Sequence, residues 1–91
     1  MPEIRNFLTL STGHVTKATS EMLDNTKLEN WPVFGGIIST VGWFMYAHEE
    51  TEQENPADLL VVFEYARKHN CPYVMFDCDA DVIDELPFYD W

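Results

Sequence analysis

The residues with the clearest capacity for chemistry are the alternating carboxylates of Phe76-Asp77-Cys78-Asp79-Ala80-Asp81-Val82. Three acids spaced two apart after an apolar run have the oxygen-rich character of a site for a hard cation such as Ca²⁺ or Mg²⁺. An EF-hand loop starting at Asp77 would need Gly at its sixth position and Glu at its twelfth, where the chain has Val82 and Phe88. That loop is excluded, and the string reads as a solvated acidic turn. Asp77, Asp79 and Asp81, with His14, remain the alternative, a small metal-binding module or metal-dependent enzyme.

Other chemistry is thinner. A strand-end D-x-D string also suits the nucleophile of haloacid-dehalogenase-type phosphatases, but that chemistry needs a large α/β domain and further catalytic residues after it. Here only residues 82–91 follow. His14, His48 and His69 do not stand three or four apart, and none has metal-ligand spacing with a cysteine. His14 lies between Thr12 and Thr16, where a capping network at a helix start explains it as well as a catalytic role does. Cys71 and Cys78 are too few for a disulfide scaffold and read as buried, inert thiols of a cytoplasmic protein. Gly35-Gly36 lacks the spacing of a nucleotide loop and suits a bend in a strand.

These residues need elements to hold them. Phe7–Leu10 reads as a strand. From Val15 the apolar or small residues Val15, Ala18, Thr19, Met22, Leu23 and Thr26 define one helical face, with Thr12 or Thr16 as cap. Val33–Ile38 and Trp43–Ala47 are β-rich and separated by Ser39-Thr40-Val41-Gly42, either as a hairpin or as one strand bulged at Gly42. Asn55 as N-cap and Pro56 at the first helical position open a second helix with buried stripe Leu59, Leu60, Phe63 and Ala66, closed by Asn70 and Pro72. Tyr73–Phe76 is the last strand. The order β-α-β-β-α-β predicts an α+β, ferredoxin-like two-layer sandwich: an antiparallel sheet with two helices on one face. Residues 1–91 are expected to form one domain, with an acidic C-terminal tail over 77–91.

Charge decides which partners fit. Sixteen Asp and Glu against five Lys and Arg give −11 at pH 7. Such a chain lacks the cations needed to displace counterions from a phosphate backbone, so direct nucleic-acid binding is excluded, and an anionic membrane is disfavoured too. No apolar run approaches a membrane span, and no basic-then-apolar leader stands at the start. The acids are segregated: residues 28–66 and those after Lys68 contain no Lys or Arg. Rows of carboxylates on a folded scaffold imitate DNA phosphates and suit grooves built from Lys and Arg. Plain acidic solubility is the competing explanation. Trp31, Trp43 and Trp91, with Phe34, Phe44, Tyr46, Phe88 and Tyr89, exceed what a small core needs, so some are candidate interface anchors.

Ser11-Thr12-Gly13-His14-Val15-Thr16, Val41-Gly42-Trp43-Phe44, Phe76-Asp77-Cys78-Asp79 and Leu86-Pro87-Phe88-Tyr89-Asp90-Trp91 together resemble a small bacterial family of uncharacterised domains carried on prophages, plasmids and genomic islands. The resemblance implies a neighbourhood of antirestriction and toxin–antitoxin genes and brings no catalytic residue or cofactor. The resulting expectation is a non-enzymatic, cytoplasmic anti-defence protein, of anti-CRISPR or antirestriction type, monomeric or homodimeric. It would block the basic groove of a nucleic-acid-handling complex through Glu49, Glu50, Glu52, Glu54, Asp77, Asp79, Asp81, Asp84 and Glu85, with Trp43 and Trp91 as anchors. An antitoxin-like binder of a basic toxin is a further alternative.

Overall fold

The computed structural model describes residues 4–27, 30–31, 35–38, 42–47 and 55–89. Strand β1 (Phe7–Leu10) leads through a 3-10 turn (Thr12–His14) into helix α1 (Lys17–Asn25). Strands β2 (Gly35–Ile38) and β3 (Gly42–Tyr46) follow, then helix α2 (Ala57–Lys68) and strand β4 (Tyr73–Asp77). The element order is the one expected from the sequence. β2 and β3 pair antiparallel with Ile38 opposite Gly42, so the hairpin reading holds over a bulged single strand.

The sheet itself departs from expectation. Its order is β1-β4-β3-β2, and it is mixed: β4 pairs antiparallel with β3 but parallel with β1, Leu10 opposite Phe76. The expected all-antiparallel sheet is therefore corrected. The strand order, though not the strand direction, follows relative apolarity. β3 and β4 both bury alternate residues, Trp43 and Met45 on one and Val74 and Phe76 on the other, and take the interior places. β2, with two glycines, and β1, with an exposed Thr9, occupy the edges, where a weaker strand costs less. At Gly42 the backbone of β4 comes close to β3: a Cβ there would overlap the Phe76 carbonyl.

Both helices lie on one face, as the sequence predicts. Leu23 of α1 and Leu59, Val62, Phe63 and Ala66 of α2 form one core with Leu10, Trp43, Met45, Val74 and Phe76 of the sheet. α2 buries Val62 rather than Leu60, which is half-buried, and α1 buries Thr19, Ser20 and Leu23 while Ala18 is exposed.

The helix ends are chemically closed. Thr16, one of the two expected caps, is the N-cap of α1, its Oγ1 accepting the Thr19 N–H at 3.2 Å. A carboxylate arrives from the other helix: Asp58 Oδ2 accepts the Thr16 N–H at 2.7 Å, and Oδ1 accepts the Thr19 hydroxyl at 3.0 Å. Asp58 thus does for α1 what the third residue of a capping box does within one helix. Trp31 closes the other end, its Nε1–H shared between the Leu23 and Thr26 carbonyls at 3.1 Å each. At the start of α2 the N-cap is Pro56, with no side-chain cap bond, and not Asn55 as expected. Its last turn ends with Asn70 at φ 60, the Asn70 N–H on the Arg67 carbonyl and the Cys71 N–H on Ala66. That is a Schellman closure built on Asn.

Candidate functional site

Three groups of residues are candidates: the acidic segment after β4, the histidine that holds it, and the sheet face opposite the helices.

The acidic segment begins where β4 ends. Asp77 Oδ1 accepts the Asp79 N–H at 2.8 Å and the Asp77 carbonyl accepts the Ala80 N–H at 3.0 Å, so the chain turns sharply. Asp79, Asp81, Asp84 and Glu85 are exposed, and among the described residues none of them has a Lys or Arg partner. Glu85 instead accepts a hydrogen bond from the Tyr65 hydroxyl at 3.4 Å. Partial burial and the Glu85 carboxylate push the Tyr65 phenol above its ordinary value. Beside them, Val61, Glu64, Lys68 and Leu86 complete a shallow cavity of about 190 Å³.

This segment is fixed, and His14 fixes it. The imidazole is 1% exposed. Its Nε2 accepts the Ile83 N–H at 2.9 Å, which leaves the ring proton on Nδ1, donated to the Pro87 carbonyl at 2.7 Å. Phe88 packs edge-on against the ring, the Tyr89 N–H bonds the Gly13 carbonyl at 2.7 Å, and the Ser11 N–H bonds the Asp81 carbonyl at 3.3 Å. A Cβ on Gly13 would overlap the Phe88 ring, so glycine is what lets the segment close. Both His14 nitrogens serve backbone groups, and none is left to act as a base or ligand. The segment folds back onto its own chain.

Asp77, Cys78 and Asp79 bring one ligand atom each to within 4.8 Å of one another. Asp81 and His14, the other residues of the metal reading, are not in that group. Its mixture of thiolate and carboxylate suits a borderline ion such as Zn²⁺ better than Ca²⁺ or Mg²⁺. Cys78 is exposed and Cys71 half-buried, so the expected burial of both thiols is corrected.

Trp43 is also corrected as an anchor. It is 4% exposed, packs against Phe76 and donates its Nε1–H to Asp24 Oδ1 at 3.1 Å. Its position on β3 places it on the helix-covered side, with no surface left for a partner. Glu49, Glu50, Glu52, Glu54, His48 and Trp91 lie outside the described residues. The structure therefore brings together Asp77, Asp79, Asp81, Asp84 and Glu85 along one segment, without bearing on the remaining acids.

The opposite sheet face escaped the sequence reading in part. Strand alternation places Phe7, Thr9, Tyr73, Met75, Asp77, Phe44 and Tyr46 there. Phe44 stacks on Tyr73 at 5.5 Å, Phe7 meets Phe44 edge-on at 5.7 Å, and Tyr46 meets Tyr73 at 5.2 Å. Arg5 lies 6.0 Å over the Tyr73 ring and donates to its hydroxyl at 3.3 Å. No described helix covers this face. Phe44 and Tyr46 stand out in the sequence as surplus aromatics, whereas Phe7 and Tyr73 join them only once the pairing of β1 with β4 is known.

Among the described residues no helix is long and apolar enough to cross a membrane. No curated protein and no solved structure shows significant similarity to the chain. Residues 7–91 match the model of the C-terminal domain of a family of unknown function, DUF5983, and the chain belongs to that family.

Proposed function

We propose that this chain is a non-enzymatic, acidic binding protein that occupies the basic nucleic-acid groove of a host defence complex, in the manner of an anti-CRISPR or antirestriction protein. One observation carries the reading: the exposed carboxylates of Asp79, Asp81, Asp84 and Glu85 sit on a segment clamped at Ile83 and Pro87 by His14. Charges held in fixed positions, with no ion pair to a Lys or Arg among the described residues, lose little conformational entropy when a Lys- or Arg-lined groove closes on them. The net charge of −11 steers the chain towards such grooves. The genomic neighbourhood implied by the family resemblance, near antirestriction and toxin–antitoxin genes, points to the same class of partner in the cytoplasm.

The test mixes the purified chain with CRISPR effectors and restriction enzymes and measures their DNA affinity. A loss of affinity is expected, and reversing Asp79, Asp81, Asp84 and Glu85 to Lys should restore it. If no effector loses affinity, or if the reversed chain inhibits equally well, the reading fails. The convergence of Asp77, Cys78 and Asp79 favours a second reading, a metal-binding module. Calorimetric titration with Zn²⁺, Mn²⁺, Mg²⁺ and Ca²⁺ decides it, and heat that survives Cys78→Ala and Asp79→Asn would remove it.

A further inference from the structure

We infer that the aromatic sheet face formed by Phe7, Phe44, Tyr46 and Tyr73 docks arginine side chains of a basic protein partner. The inference rests on the basic-groove reading above and deepens it by naming the surface and the side chain that surface selects.

The face combines three properties. Its rings are close enough to form one continuous surface, with centroid separations from 5.2 to 5.7 Å. The faces of aromatic rings are electron-rich and attract planar guanidinium groups, Arg more than Lys. Phe7, at the edge, is 51% exposed, and no described element shields the patch. Second, the chain already holds a guanidinium in this setting, Arg5 over Tyr73 with an N–H on the phenol oxygen. That pair displays the chemistry the face accepts. Third, Asp77 lies on the same face at the end of its strand, and the turn that follows carries exposed Asp79 and Asp81. A partner arginine over Phe44 or Phe7 therefore approaches a net-negative surface.

Two other occupants are less well matched. Single-stranded nucleic acid stacks on sheets of this kind, but needs several cations along the backbone path, and among the described residues of this face Arg5 is already engaged by Tyr73 and offset by Asp77. A second copy would bring two chains of −11 together.

Deca-arginine and deca-lysine, equal in charge, are the probes, alongside a single-stranded RNA. Isothermal titration at low salt should give binding of both peptides, with deca-arginine tighter by about fivefold, the scale of one or two exposed cation–π contacts. Phe7→Ser and Phe44→Ser should reduce that preference towards unity while deca-lysine binding stays. Thr9→Lys, an exposed change on the same face that removes no ring, should weaken deca-arginine more than deca-lysine and stands in if Phe44→Ser does not fold. Equal affinity for the two peptides, or a preference untouched by these variants, overturns the docking site and leaves the basic-groove reading intact. Absence of binding to either peptide overturns both. RNA binding lost in Phe44→Ser, or a dimer in sedimentation equilibrium that Phe7→Ser dissociates, would assign the face to that occupant and overturn the proposal.

Discussion

His14 shows how a residue type that suggests catalysis can be consumed by architecture. A buried imidazole with one acceptor and one donor nitrogen matches a backbone N–H on one side and a carbonyl on the other, and Ile83 and Pro87 supply that pair. His14→Ala strands both groups and opens a cavity, so urea unfolding should report a loss of about 2–4 kcal/mol, with faster amide exchange at Ile83. His14→Gln can restore both bonds and should recover much of that loss. Tyr65 gives a second test. Its phenol is held above its ordinary value of 10.0, first by partial burial and then by Glu85. A raised value means that the folded chain keeps the proton longer than the unfolded one, so the stabilisation is present below pH 10 and is lost as pH rises beyond it. Tyrosinate absorbance should show one phenol titrating late, and Glu85→Gln should move it back down. The sequence made the acids after β4 legible because charge is written in residue types. It hid the role of His14, because the partners are backbone groups far along the chain and backbone groups leave no mark on composition.

At the level of elements, local chemistry was the readable part. Phe7–Leu10 is found as a strand with the expected bounds, and the second helix announces itself through Asp58, Arg67, Lys68 and Asn70. Its start is one residue off, since Pro56 rather than Asn55 occupies the N-cap. Strand pairing was not readable, because alternation identifies the inward residues of a strand and is silent about its neighbours. That silence is why an antiparallel sheet was expected where β4 runs parallel to β1. The capping of α1 by α2 was hidden for the same reason. Asp58 looks like an ordinary first-turn acid of its own helix, yet its two oxygens close the start of the other one. Asp58→Ala should therefore cost about 1–2 kcal/mol in chemical denaturation, at the upper end for a cap because two helix starts lose their acid. Thr16→Ala in the Asp58→Ala background should cost less than it does alone, a coupling that a double-mutant cycle measures.

For the molecule as a whole, segregated charge and segregated apolarity divide the surface between them. One sheet face is sealed by helices, the other carries rings, and a clamped acidic segment leaves the sheet where β1 and β4 finish. With −11 net charge the folded chain repels itself. Raising salt from about 0.02 to 0.2 M should increase the melting temperature, as screening shortens from roughly 20 Å to below 10 Å. A flat or falling response would mean that the acids are neutralised locally after all. The pairing of Leu10 with Phe76 has a consequence in time as well as in space. During synthesis β1 emerges early and must wait, without its ladder partner, until the ribosome has made α1, the hairpin and α2. The hairpin and α2 depend on nearby contacts and can organise first, whereas closing β1 onto β4 requires one of the longest loops in the chain. Folding of this domain should end, rather than begin, with β1.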